Sequence, residues 1–188
     1  MYLNIDNKLT FIDDKRIVGK FDYSKMKEKS DYWYSKDKLL TKYNNLNARL
    51  ILDAVKDDLL KQNISYLKAY FSGGNDEGGY DSVETVDVDD NFIKCEPFSK
   101  KVLLWRCNQH KENEIDYFIE EQYEKKLNFP DDLEEIFYNT NCLDEWGSFA
   151  GEFTVNGHIM LNIKTGKWDM QGSESIEQYQ DISNEGSI

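Results

Sequence analysis

Between Ile64 and Phe71 the side chains fall into two alternating sets, Ile64, Tyr66, Lys68 and Tyr70 on one side and Ser65, Leu67, Ala69 and Phe71 on the other. Both sets are largely apolar, so a central strand covered on both faces is predicted. The stretch that follows, Ser72 to Gly79, holds four of the chain's eleven glycines. Such density points to a tight turn with positive φ or close backbone approach. Beyond it, Val83, Thr85 and Val88 stand among Glu84, Asp87, Asp89 and Asp90, the pattern of a second strand with an acidic, solvated face. Upstream, the period changes to that of a helix over Leu39 to Gln62. Leu39, Tyr43, Leu46, Leu50 and Ala54 make one stripe, which Leu40, Ile51, Val55 and Leu59 widen. This helix is expected to pack across the central strand.

The remaining pattern fills in an α+β fold, a mostly antiparallel sheet with two to three amphipathic helices packed on one face. Tyr2 to Phe21 alternates short apolar runs with turns and predicts two or three meander strands. Asp22 to Asp37 reads as a polar loop with Tyr23, Tyr32, Trp33 and Tyr34 embedded and Lys25, Lys27, Lys29, Lys36 and Lys38 nearby. Its aromatics either dock on the core or form a contact surface. Lys100 to Cys107 predicts a buried strand, Asn113 to Leu127 a second helix, and Pro130 with Asp131 and Asp132 the start of a third. Asn156-Gly157 and Thr165-Gly166 read as two turns of a three-stranded meander. Residues 1–38 are taken as an N-terminal meander and aromatic loop of the same domain, 39–172 as the α+β core, and 173–188 as a flexible tail.

Charge narrows the partners. Against 23 Lys plus Arg stand 36 Asp plus Glu, a formal charge of −13 that opposes direct contact with nucleic acid or an anionic membrane and favours a basic protein surface. No window approaches the length of an apolar membrane span. Cys95, Cys107 and Cys142 are odd in number and lack C-x-x-C spacing, which fits a reducing cytoplasm better than a disulfide framework or a zinc ribbon. No cofactor and no catalytic residue is expected. Oligomeric state is not written in the pattern.

The strand running into Ser72-Gly73-Gly74-Asn75-Asp76-Glu77-Gly78, with the Trp146-Gly147 loop and Gly151-Glu152-Phe153-Thr154-Val155 downstream, resembles a family of small bacterial and phage proteins. That family has an S-G-x-x-D-x-G turn and a C-terminal W-G, G-x-F-x-V meander, and no known activity. The resemblance covers about half the chain. It implies an α+β fold and a mobile-element setting, and supplies no catalytic residue.

Several chemistries fail on spacing. Asp76, Glu77, Asp81, Glu84, Asp87, Asp89 and Asp90 are dense enough for Ca²⁺ or Mg²⁺, but the spacing is not that of a calcium loop, and acids alternating along a strand do not converge. Neither glycine-rich phosphate-binding pattern is present. His110 and His158 are the only imidazoles, and no signature pairs either with a cysteine. The reading preferred is an acidic, non-enzymatic binding protein, with a phage or mobile-element inhibitor as its form. Asp76, Glu77, Asp81, Glu84, Asp87, Asp89, Asp90, Glu120, Glu121 and Glu124 would engage a basic, nucleic-acid-binding surface of a host or defence protein, acting as a nucleic-acid mimic. The alternatives are a small metal-dependent enzyme or hydrolase at the Asp76 loop, and a structural accessory domain.

Overall fold

The computed structural model describes residues 11–12, 15–25, 29–74, 77–140, 142 and 153–176. In order these form β1 (Phe11–Ile12), β2 (Lys15–Asp22), a 3-10 turn (Tyr23–Lys25), α1 (Lys29–Lys61), β3 (Tyr66–Gly74) and β4 (Glu77–Val86). β5 (Phe98–Glu112), β6 (Ile115–Phe129), α2 (Glu134–Tyr138), β7 (Phe153–Asn162) and β8 (Trp168–Ile176) follow. The strands make two antiparallel sheets, β1-β2-β6-β5 and β4-β3-β7-β8. The α+β class and the central place of β3 therefore stand. The helices differ from expectation: among the described residues there are two, one of 33 residues and one of five, and they do not line one face of a sheet.

Helix α1 begins ten residues earlier than its strongest periodicity and runs unbroken across residues 38 and 39, so Tyr32, Trp33 and Tyr34 lie on its first turns and not in a loop. Its buried positions explain why. Leu39, Tyr43, Asn47, Ile51, Val55 and Leu59 recur every four residues, and each such step overshoots a helical turn by roughly 40°. The stripe thus winds about the helix, and the two ends of α1 bury opposite sides. Tyr32, Leu39 and Tyr43 join Phe21 and Phe118 in a small aromatic core, whereas Ile51, Leu52, Val55 and Leu59 belong to the main core with Leu67, Ala69, Phe71, Leu127, Phe129 and Ile136.

The β5-β6 hairpin is shaped to match. Its strands pair without interruption from Phe98↔Phe129 to Glu112↔Ile115, closed by a two-residue loop in which Asn113 has φ 56°. Cross-strand neighbours share a face. Near the open end the buried face carries Val102, Leu104, Leu127 and Phe129, and near the loop it is the opposite face, with Asp116 and Phe118. Asn113 to Leu127, expected as a helix, is thus mostly strand β6. Its buried positions change face partway, and the change imitates helical spacing. Between the two cores α1 crosses the free edge of β5, where Asn47 bonds to the backbone of Trp105.

Asn156-Gly157 is not a turn. Both residues lie inside β7, paired with Ser72 and Phe71 of β3. A Cβ on Gly157 would collide with the Gln171 carbonyl oxygen and come within 2.6 Å of the Phe71 ring, so glycine is there for close packing. Thr165-Gly166 does turn the chain, with Gly166 at φ 68°, and the expected three-stranded meander is one β7-β8 hairpin. Of the four loop glycines only Gly74 has positive φ. The start of the expected meander, from Tyr2 to Thr10, the Trp146-Gly147 loop and the tail beyond residue 176 lie outside the described residues, while residues 173–176 belong to β8. No helix among the described residues is long and apolar enough to cross a membrane.

Candidate functional site

The second sheet has an inner face and an outer face. Leu67, Ala69, Phe71, Val155, Ile159 and Leu161 point inward and are buried in the main core with α1 and α2. Pairing places Tyr66, Lys68 and Tyr70 of β3 on the outer face beside Asn162, Met160 and His158 of β7, all half-buried. Glu84 and Ser82 of β4 extend the face on one side, and Asp169 and Gln171 of β8 on the other. No described helix covers it. Val86 pairs with Tyr66 and bridges to Phe92, which is 65% exposed, so an apolar edge closes one end.

Four carboxylates sit on or beside this face. Glu84 accepts the Tyr70 hydroxyl at 3.2 Å, Asp81 accepts the Ser72 hydroxyl at 2.9 Å, and Asp90 pairs with Lys68 at 2.7 Å. Asp169 is exposed opposite Met160. Lys68 is the one cation among these paired positions, so the face is negative. Hydrogen bonding to Asp90 raises the Lys68 pKa and keeps the ammonium charged.

The other acids expected to bind are placed differently. Asp87 folds the β4-β5 connection, its Oδ1 accepting the backbone N–H groups of Asp89 at 2.8 Å and Asn91 at 2.9 Å. These bonds, chiefly those from Asn91, lower its pKa. Asp89 and Glu77 are exposed, and Asp76 lies outside the described residues. Glu120, Glu121 and Glu124 are on β6 in the first sheet, and each meets a cation: Arg16 at 3.0 Å, Arg106 at 2.7 Å and Lys101 at 2.7 Å. The two acidic runs of the sequence are therefore on separate sheets. Only the first contributes to the outer face, and Asp169 joins it from a distant stretch.

One carboxylate escaped the sequence reading. Asp116 is fully buried between α1 and the first sheet. Its Oδ2 accepts the hydroxyls of Tyr23 at 2.5 Å and Tyr32 at 2.8 Å and the Gln109 amide at 2.5 Å, while its Oδ1 is enclosed without a partner among the described residues. Burial first, then the bond to Asp116, raises both phenol pKa values. Along the same face Tyr43 donates to Glu120 at 2.8 Å. These contacts fasten the first half of α1 to the sheet. The tyrosines were visible in the sequence as an aromatic cluster, but nothing local distinguished Asp116 from its acidic neighbours.

Among the described residues no group of three or more His, Cys, Asp or Glu side chains is placed to hold a metal ion. Comparison with protein-family models, curated proteins and solved structures finds no match.

Proposed function

We propose that the protein is a non-enzymatic binding protein whose outer face on the second sheet engages a basic protein surface. The observation that carries this reading is the patch of Tyr66, Tyr70, His158 and Met160, which no described helix covers, bordered by Asp81, Glu84, Asp90 and Asp169 with Lys68 among them. Half-buried aromatic and methionine side chains supply contact area with little ordering cost, and a border of acids steers a cationic partner into register. The formal charge of −13 acts in the same direction at longer range. A nucleic-acid-binding surface is the partner class such a face suits, with carboxylates taking the place of phosphates. Inhibition of that partner by occlusion is the activity this implies.

The test uses a fluorescently labelled peptide rich in Lys, Arg and Tyr as a stand-in for the partner. Anisotropy should show binding that weakens as salt rises, with Glu84→Lys plus Asp169→Lys reducing affinity by at least about tenfold, near 1.4 kcal/mol. The pair Glu121→Lys and Glu124→Lys on the first sheet should have a much smaller effect. Equal losses from the two pairs would reduce the reading to nonspecific attraction by net charge.

A further inference from the structure

A concavity of about 480 Å³ lies between α1 and the β7-β8 turn, on the opposite side of β7 from the acidic face. Its floor is apolar, made by Leu52, Leu161 and Ile163 at the margin of the main core. Its rim has the opposite chemistry to the protein as a whole. Arg49 and Lys56 stand on α1 and Lys164 on the turn, and Asp53 is the one carboxylate in the lining. Asp53 is shared, 2.8 Å from Lys56 and 3.9 Å from Arg49, and Lys164 has no ion pair among the described residues. Three cations around one acid leave a local positive excess.

The turn is fixed where it meets the helix. Asn162 accepts the Gly166 N–H through its carbonyl at 2.8 Å and the Thr165 N–H through its side chain at 2.9 Å. A Cβ on Gly166 would stand 3.6 Å from Leu52. This holds Trp168, 38% exposed, at the mouth. An indole at the opening, an apolar floor and clustered cations are the parts of a site for a planar organic anion, and the volume suits a small molecule. We propose that this pocket binds a small aromatic anion, with its ring against Trp168 and the floor and its carboxylate or phosphate against Arg49 and Lys164. Arg49 is suited to the charged end because a guanidinium can donate two parallel hydrogen bonds to either group. The site is independent of the acidic face.

Isothermal titration calorimetry on the full chain tests it with two anionic probes, adenosine monophosphate and naphthoate, and their uncharged counterparts, adenosine and naphthamide. At least one anion should bind about tenfold more tightly than its uncharged counterpart. Which one binds separates a phosphate ligand from a carboxylate ligand. Lys164→Glu, a change at an exposed turn residue, and Arg49→Glu should each lower that affinity by about tenfold or more, and Lys20→Glu on the first sheet should not. Thermal unfolding of each variant separates loss of the site from loss of the fold. Failure of both anions to exceed their uncharged counterparts, or affinity unchanged by Lys164→Glu and Arg49→Glu in folded variants, would overturn the proposal.

Discussion

Asn47 satisfies both backbone groups of Trp105: its Nδ2 donates to the Trp105 carbonyl at 2.7 Å and its Oδ1 accepts the Trp105 N–H at 2.8 Å. β5 is an edge strand, so an amide side chain here takes the part of a neighbouring strand and shields an otherwise open edge. This is also where the buried stripe of α1 passes from the aromatic core to the main core. Asn47→Ala would leave a donor and an acceptor without protein partners and is expected to cost about 1 to 3 kcal/mol in urea unfolding. A change below about half a kcal/mol would mean that water replaces the amide without loss.

Asp116 gathers three donors on one oxygen, Tyr32 from α1, Tyr23 from the 3-10 turn before it and Gln109 from β5, and so ties the start of α1 to the first sheet. Asp116→Ala should destabilise by about 2 to 4 kcal/mol, because the Tyr23 and Tyr32 hydroxyls and the Gln109 amide lose their shared acceptor. Tyr23→Phe and Tyr32→Phe each remove one of the bonds, and because the remaining hydroxyl gains a larger share of the carboxylate in each single variant, the double variant should cost more than their sum. Strict additivity in a double-mutant cycle would show that the donors act independently.

Tyr23, Tyr32 and Tyr43 all have raised phenol pKa values, with burial the largest cause in each. The folded state therefore keeps protons that the unfolded chain gives up near pH 10. Their contribution to stability is complete below that pH and is lost as pH climbs from there through the folded-state values. Urea midpoints should hold steady to about pH 9 and then fall, with a shallower fall in Tyr32→Phe and Tyr43→Phe. An equally steep fall in the variants would assign the alkaline loss to other groups.

Cys107 has its thiol pushed up to about 11, mainly by burial and secondarily by Glu120. At pH 8 it should alkylate more slowly with iodoacetamide than a free thiol, since the thiolate is the reactive form. Glu120→Gln should speed the reaction by removing the second cause. Mass spectrometry of the modified peptide reads the site directly, and a rate equal to that of free cysteine would contradict the burial.

Gly157→Ala should destabilise sharply, since its Cβ would meet the backbone of β8 and the Phe71 ring. Gly79→Ala is the control, because nothing lies within 4 Å of a Cβ there. Similar unfolding midpoints for the two variants would show that β7 and β8 move apart at little cost.

Much of the main core was legible because each segment there buries one face along its length. Leu67, Ala69 and Phe71 alternate as a strand should, and Ile51, Val55 and Leu59 recur as a helix should. Legibility failed where the buried side changes. Phe118 and Ile119 are adjacent and both buried on β6, which helical spacing explains as readily as a change of strand face. Asn156-Gly157 matched a turn by composition, and its cause is a steric contact with residues far along the chain. The outer face was half legible: Asp81, Glu84 and Asp90 come from one acidic run, but Asp169, His158 and Met160 reach them only through the β3-β7-β8 pairing. Asp116 could not be singled out, because burial of a carboxylate depends on tyrosines as many as 93 positions away.

The central claim is that one sheet face, and not net charge spread over the surface, receives the partner. Amide chemical shifts of the isotope-labelled protein, followed while the Lys-, Arg- and Tyr-rich peptide is added at about 0.15 M salt, test it most directly. Saturable shifts are expected, concentrated at Tyr66, Lys68, Tyr70, Glu84, His158, Met160 and Asp169, with Glu120, Glu121 and Glu124 unmoved. Shifts of similar size on both sheets, or none on the β4-β3-β7-β8 face, would contradict it.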